Sequence, residues 1–241
     1  MAVVRRVRCI ISHIVHHGAH VYTWEMLPER VIPPFQPGQF LHLALDEYDP
    51  AGFWPESRAF SIASSPAQRD LVRISFATKG KFTSRMESES YVGNCVWIKL
   101  PFGDFTVDRT RSAALFAGGT GITAFSAFIE TLKADCLQEV YLFYGALTPD
   151  LLIYRDIFEQ VEHSVPQFHA IYYTEIQPQS SPLSPKVRPG RLSVSEAYSI
   201  IPHPLDVTYY LSGPPPMIET LSADLRGRQV KEECIRIDAW E

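Results

Sequence analysis

The sequence predicts an N-terminal antiparallel β-barrel over residues 1–108 and a C-terminal α/β domain with a doubly wound parallel sheet over residues 109–241. Three observations predict it. Up to Phe105, short apolar runs are separated by Gly and Pro turn signals. A polar stretch from Thr106 to Arg111 then interrupts the pattern. Beyond it, short buried-type strands alternate with helical repeats, as they do in parallel sheets. With 241 residues and 46% hydrophobic side chains, the chain can bury a sizeable core as one large domain or two compact ones.

The barrel opens with Val3, Val7 and Ile10-Ile11, followed by Val21 to Met26 and Phe40 to Leu45. Gly18 and the cluster from Pro33 to Gly38 punctuate these runs. Residues 46–57 form a loop with three rings, Tyr48, Phe53 and Trp54. The rings can line a cofactor or docking surface, or plug the end of the barrel. Arg58-Ala59-Phe60-Ser61 follows, then a strand from Leu71 to Ala77. Gly80 is expected to relieve the backbone before a helix that begins near Phe82 to Ser84 and buries Met86. Val96 to Leu100 is the last strand, ended by Pro101-Phe102-Gly103-Asp104-Phe105.

The second domain starts with Ala113 to Ala117, a short run of the fully buried kind. Gly118-Gly119-Thr120-Gly121 follows, and Ile122, Phe125, Ile129 and Leu132 then repeat at helical spacing. Val140 to Tyr144 and Phe168 to Tyr173 are further strands, with a helix expected over 150–161 between them. The Pro- and Ser-rich stretch from Ile176 to Pro189 reads as a loop. Val194 to Ile200 is helical, and Thr208 to Leu211 runs as a strand into Ser212-Gly213-Pro214-Pro215-Pro216-Met217. Met217, Leu221 and Leu225 mark a last helix, and Ile235 and Ile237 a last strand.

Composition narrows the function. The net charge of −5, with no long run of one sign, disfavours bulk binding to nucleic acid or anionic membrane. The basic N-terminus is followed by too short and broken an apolar run for a secretory signal or a membrane span, so a cytoplasmic protein is expected. Cys9, Cys95, Cys136 and Cys234 are far apart, which fits free thiols and no zinc or iron–sulfur motif. His13, His16, His17 and His20 would share a face only on a helix. In strand and turn they scatter, and no metal site is expected.

Three stretches carry chemistry. Arg58-Ala59-Phe60-Ser61 offers a cation, a flat ring and a hydroxyl, with Arg58 and Phe60 on one face when extended. A guanidinium fork can hold a phosphate while the ring stacks on a heterocycle. The same residues also read as a strand end with a surface arginine and a core phenylalanine. Lys79-Gly80-Lys81-Phe82-Thr83 places N–H groups and a hydroxyl at a helix start, an anion site or an ordinary N-cap. Gly119 to Ala124 matches GxGxxG/A, and its glycines let a phosphate approach the backbone. The next strand, however, ends Phe143-Tyr144-Gly145-Ala146-Leu147, without the acid a Rossmann dehydrogenase sets on the ribose. No Walker A loop is present.

Taken in order, Pro37-Gly38-Gln39-Phe40, Arg58 to Ser61, Gly80 to Thr83, Pro101 to Phe105, Gly118 to Gly121, Tyr144-Gly145 and Ser212 to Met217 resemble the ferredoxin–NADP reductase superfamily over nearly the whole chain. The resemblance implies a flavin-binding barrel and an α/β nicotinamide-nucleotide domain, as a module without an iron–sulfur domain. It implies that Arg58 binds a flavin phosphate and that Phe60, with Ala59 beside it, stacks on the isoalloxazine where a tyrosine is usual. Ser61 would sit at the flavin N5/O4 edge, and Lys79, Gly80, Phe82 and Thr83 at the pyrophosphate. Gly119, Thr120 and Gly121 would contact the nucleotide phosphates, with Gly213, Pro214 and Met217 at the nicotinamide. Ser212 replaces the usual Cys there and, with Ser61, is the expected catalytic residue. Ala124 stands where Pro is usual, and Leu147 where an Arg is often found.

The activity so implied is hydride transfer from NADH or NADPH to bound FAD (FMN is possible), then electron transfer to a separate redox protein or small molecule. Thr174-Glu175 occupies the place of a 2′-phosphate-selecting Ser-Arg pair, so NADH is favoured. Trp240 can cover the flavin or simply pack a terminal strand. Two alternatives are a partner-dependent electron-transfer subunit with weak nucleotide activity and a flavin-free interaction module of the same fold.

Overall fold

The computed structural model describes residues 3–176 and 186–238. The chain divides into two compact units, Met1–Thr106 and Val107–Glu241. Val107 and Asp108 fall with the second unit, where Val107 is buried and the Asp108 N–H donates to Tyr210 Oη at 2.9 Å.

Among the described residues, the first unit has six strands and one helix: β1 (Arg5–Gly18), β2 (Val21–Pro28), β3 (Phe40–Ala44), β4 (Ser57–Ser61), β5 (Val72–Ala77), α1 (Lys81–Glu89) and β6 (Cys95–Phe102). They form an antiparallel sheet in the order β4-β3-β6-β1-β2-β5. Just beyond β4 the Ala63 N–H donates to the Arg73 carbonyl of β5 at 2.8 Å, so the sheet is a nearly closed barrel. Period-two alternation fills it. Val7, Cys9 and Ile11 of β1, Trp24 and Met26 of β2, Ile74 and Phe76 of β5 and Ile98 of β6 belong to one buried cluster. Cross-strand partners within it include Val7 with Ile98, Trp24 with Ile74, and Leu41 with Phe60.

The four N-terminal histidines ride on β1 and its turn and go to different places. His13 and His16 are exposed, His17 Nε2 shares a 2.8 Å hydrogen bond with Thr23 Oγ1, and His20 Nδ1 lies 2.7 Å from Glu87 Oε1. In α1, Phe82 and Met86, four residues apart, are the buried stripe that pins the helix.

The second unit comprises β7 (Ala113–Gly118), α2 (Thr123–Ile129), β8 (Val140–Ala146), α3 (Arg155–Ser164), β9 (Phe168–Thr174), β10 (Val187–Pro189), α4 (Val194–Ile200), β11 (Thr208–Ser212), α5 (Pro215–Gly227) and β12 (Ile235–Ile237). Its strands are all parallel, in the order β10-β9-β8-β7-β11-β12. Every residue of β7 is buried. Phe116, Phe143, Tyr173 and Tyr209 pack with Val194 and Ala197 of α4 and Leu221 and Leu225 of α5. The helix expected over 150–161 begins later, at Arg155. A 3-10 turn over Pro149–Leu151 and a left-handed Tyr154 (φ 65°) precede it. The stretch expected to be loop contributes the short edge strand β10.

All four cysteines are free thiols. Among the described residues, no helix is long and apolar enough to cross a membrane.

Candidate functional site

In the first unit the expected residues converge on the start of α1. The Arg58 guanidinium lies over the Phe82 ring, 5.3 Å from its centroid, and Phe82 is the second residue of the helix. A cation thus stands beside the helix end that carries partial positive charge, with Lys79 and Lys81 exposed close by in the chain. The turn satisfies itself through Thr83. Its Oγ1 accepts from the Lys79 N–H at 2.9 Å and the Gly80 N–H at 3.1 Å, and donates to the Gly80 carbonyl at 3.0 Å. The backbone of Gly80 is extended (φ −148°, ψ 177°), which any residue adopts, so relief of strain does not explain this glycine. What distinguishes it is space: nothing lies within 4 Å of where a Cβ would stand.

Arg58 is engaged but available. Its Nη1 donates to the Ser57 carbonyl at 2.8 Å and its Nη2 to Glu56 Oε1 at 3.0 Å. The two side chains are 53% and 54% exposed. Such a pair contributes at most about 1 kcal/mol, so an arriving phosphate can displace it. Sequence reasoning missed Glu56, which lies in the bend just before β4 and so outside the strand's alternation.

Phe60 is placed differently from an open stacking platform. The ring is 9% exposed and packs edge-on against Phe76 at 6.0 Å, inside the barrel core. Of the two readings of this tetrapeptide, the surface arginine with a core phenylalanine describes it. Ala59 is half-buried. Ser61 is only 6% exposed. In the preceding loop, Tyr48 is buried, with the rings of Trp54 and Trp97 each 5.3 Å away, whereas Phe53 is 98% exposed.

In the second unit the strand order turns at β7, with β8 on one side and β11 on the other. Open α/β sheets bind ligands at such a switch, beyond the carboxyl ends of the strands. Both expected turns end there, Gly118 to Gly121 after β7 and Ser212 to Pro214 after β11. They interlock. A Cβ on Gly121 would lie 2.4 Å from the Ser212 carbonyl oxygen, and one on Gly118 would lie 2.5 Å from Met217 Sδ. These two glycines serve contact between turns. Gly119 differs, with φ 53° and open space where a Cβ would stand. Thr120 is half-buried, and its carbonyl accepts from Thr123 Oγ1 at 2.8 Å. Ala124, in the usual Pro position, is buried in α2.

On the β11 side Pro214 is exposed, and Gly213 and Met217 are half-buried. Ser212 is fully buried, and its Oγ donates to Asp238 Oδ2 at 2.9 Å. The hydroxyl expected at the nicotinamide is therefore bonded to a buried carboxylate 26 residues away, which no local sequence signal announced.

At the end of β9, Thr174 is fully buried, and its Oγ1 has no hydrogen-bond partner among the described residues. Glu175 is exposed and accepts from Arg191 Nε at 2.8 Å. Leu147, at the end of β8, is 47% exposed. Trp240 lies outside the described residues.

The model of the oxidoreductase NAD-binding domain matches residues 115–223. The chain is 31% identical over 230 residues to oxidoreductase NAD-binding domain-containing protein 1 of Danio rerio, covering 86% of this chain and 81% of that one. It is 28% identical over 207 residues to the toluate 1,2-dioxygenase electron transfer component of Pseudomonas putida, covering 82% and 56%. Among solved structures, the flavohem-like FAD/NAD-binding domain of nitric oxide dioxygenase from Vibrio cholerae superposes with a TM-score of 0.79 at 19% identity, covering 97% and 98%. The chain belongs to the oxidoreductase NAD-binding domain family, and it has the fold of ferredoxin reductase-like FAD/NAD-binding modules. It spans about half the length of most of the curated relatives compared, such as 56% of the toluate component and 58% of a phenol 2-monooxygenase reductase component.

Proposed function

We propose that this chain is a reductase that takes a hydride from NADH onto bound FAD and passes the electrons to a separate acceptor. The observation that carries the reading is the start of α1, where Arg58 stands over Phe82 beside the open face of Gly80. A cation, a helix N-terminus and clearance for close approach together suit a pyrophosphate. Bound flavin supplies the hydride acceptor and can release electrons singly or in pairs.

The chain's own residues do the holding. Arg58 exchanges Glu56 for a phosphate, Thr83 keeps the Lys79–Gly80 turn in shape, and Phe60 backs the site from the core. In the second unit Gly119 offers its open face to the nucleotide phosphates, with Thr120 and Gly121 shaping the turn. Gly213, Pro214 and Met217 line the other side of the switch point. Glu175 favours NADH because a carboxylate accepts from ribose hydroxyls and repels a 2′-phosphate. A separate acceptor agrees with the relative named as an electron transfer component.

One observation favours a second reading, a partner-dependent subunit with weak intrinsic nucleotide activity. Ser212 is fully buried and bonded to Asp238, so it offers little to a substrate. One experiment decides between them. The purified chain is expected to show flavin absorption that bleaches when NADH is added without oxygen. Arg58→Gln should weaken FAD binding about tenfold, the value of one charge-assisted phosphate contact, with the melting temperature unchanged. Flavin bands that persist with NADH support the partner-dependent subunit. A colourless protein that takes up neither FAD nor FMN overturns both.

A further inference from the structure

We infer that the outer face of the barrel around β1 docks peripherally on an anionic membrane surface. This goes beyond the reaction proposed above and does not rest on it.

The cations come first. Val7, Cys9 and Ile11 of β1 belong to the barrel core, so the alternate residues Arg6, Arg8 and Ile10 point outward. Arg6 stands directly opposite Lys99 of β6. Like charges so placed across two strands are destabilising, so the fold itself gains nothing from this pair. Arg30 joins them, its Nη2 donating to the Arg6 carbonyl at 2.9 Å. Arg6 and Arg30 are exposed and Lys99 is half-buried, and none of the three has an acidic partner among the described residues. Arg8, next along the face, is neutralised by Glu29 Oε1 at 2.6 Å. The whole chain carries a net charge of −5, and this cluster runs against it.

The same face continues as apolar surface. Ile10 is 41% exposed and stands opposite Leu27 of β2, which is 49% exposed. The turn before β6 adds Tyr91 and Val92, 65% and 56% exposed, at the Ile10 end. That turn is tied to β1 by the Gly93 N–H, which donates to the Ile11 carbonyl at 2.8 Å. Arg6 and Ile10 are four strand residues apart, roughly 13 Å, so the basic and apolar halves fall within one contact area.

One occupant uses both halves. A nucleic acid or an acidic polypeptide supplies anions for the three cations and nothing for the aliphatic side chains. An anionic bilayer supplies both. Its phosphates meet the guanidiniums, its acyl boundary takes up Ile10, Leu27 and Val92, and its headgroup layer suits a tyrosine.

The test is sedimentation of the purified chain with vesicles of phosphatidylcholine, either alone or with about one-third phosphatidylserine. The wild type should bind the anionic vesicles at least tenfold more tightly than the neutral ones, and high salt should weaken the binding. Arg6→Gln/Arg30→Gln should weaken it more than tenfold, because each basic residue close to an anionic surface contributes several-fold. Leu27→Ser/Val92→Ser should weaken it about tenfold by removing apolar area that leaves water. All four side chains are exposed, so both variants should melt as the wild type does. Failure to bind anionic vesicles, or binding that survives in Arg6→Gln/Arg30→Gln, overturns the inference. Binding that Leu27→Ser/Val92→Ser leaves unchanged, and that polyglutamate competes away, assigns the face to an acidic protein and overturns the membrane as its occupant.

Discussion

Both units set a glycine turn beside a candidate phosphate site, and the two turns use glycine for opposite reasons. In the α/β unit, Gly118 and Gly121 have no room, because Met217 Sδ of α5 presses against the first and the Ser212 carbonyl at the end of β11 against the second. In the barrel, nothing lies within 4 Å of where a Cβ on Gly80 would stand, and its backbone is unstrained. A glycine crowded by the protein shapes the fold. A glycine with free space around it is a candidate for shaping a ligand site. Substitutions at the two should therefore separate stability from binding.

The largest effect is expected at Gly121. An alanine Cβ there would stand 2.4 Å from a backbone oxygen. Backbone cannot swing away as a side-chain tip can, so Gly121→Ala should destabilise the chain by about 4 kcal/mol, above the usual overpacking range. Urea unfolding followed by circular dichroism measures it. A loss below about 1 kcal/mol would mean that the two turns part easily and that the crowding is not what holds them.

Phe60 comes next, and it shows that the barrel too has residues that serve the fold first. Removing a ring that is 9% exposed in a core should cost about 3 kcal/mol. A fall in flavin content in Phe60→Ala would then not separate stacking from packing. Phe60→Leu keeps most of the apolar volume and should stay within about 1.5 kcal/mol of wild type. If Phe60→Leu binds FAD as wild type does, the ring contributes packing alone. If it keeps its stability and loses flavin, the ring face is part of the site.

The ordered motifs were legible in the sequence because each is local. Period-two runs such as Val7, Cys9 and Ile11 fix the barrel's inner face. A strand, a glycine turn and helical spacing within the 20 residues from Ala113 to Leu132 fix the opening of the α/β unit. The helix after β8 was misplaced because a left-handed Tyr154 carries no residue-type signal; Gly or Asn would have given one. The partners of the candidate site residues were less legible. Glu56 sits in the bend before β4, where strand periodicity does not apply. Asp238, 26 residues from Ser212, and Arg191, 16 residues from Glu175, meet their partners only through sheet topology. No spacing rule joins them.

Acid should also distinguish the units, by a smaller amount. His17 and His42 are both in the barrel, and burial pushes both below the ordinary histidine value. The neighbouring His16 adds to this at His17, and Lys99 at His42. The unfolded chain therefore binds more protons than the folded one in this range, and stability rises with pH. It is complete above about pH 6.5 and is lost as pH falls toward the lowered folded values. Unfolding followed through Trp24, Trp54 and Trp97 should shift to lower urea between pH 7.5 and 5.5, and His17→Gln/His42→Gln should flatten the shift. An equal slope in the double variant would place the acid sensitivity elsewhere.

The smallest stability change is expected at Gly80, and it is the most informative about function. A Cβ there meets nothing within 4 Å, and φ −148° suits any residue. Gly80→Ala should change stability by no more than about 0.5 kcal/mol, and less chain freedom in the unfolded state can make it slightly stabilising. The Thr83 hydroxyl would still cap the turn, since it accepts from backbone N–H groups. The only demand for glycine left at this position comes from something outside the protein pressing close to its α-carbon. FAD affinity should then fall about tenfold in a chain that melts like wild type. If flavin binding is unchanged as well, the open face of Gly80 is ordinary surface, and the contrast with Gly121 is between a crowded glycine and an incidental one.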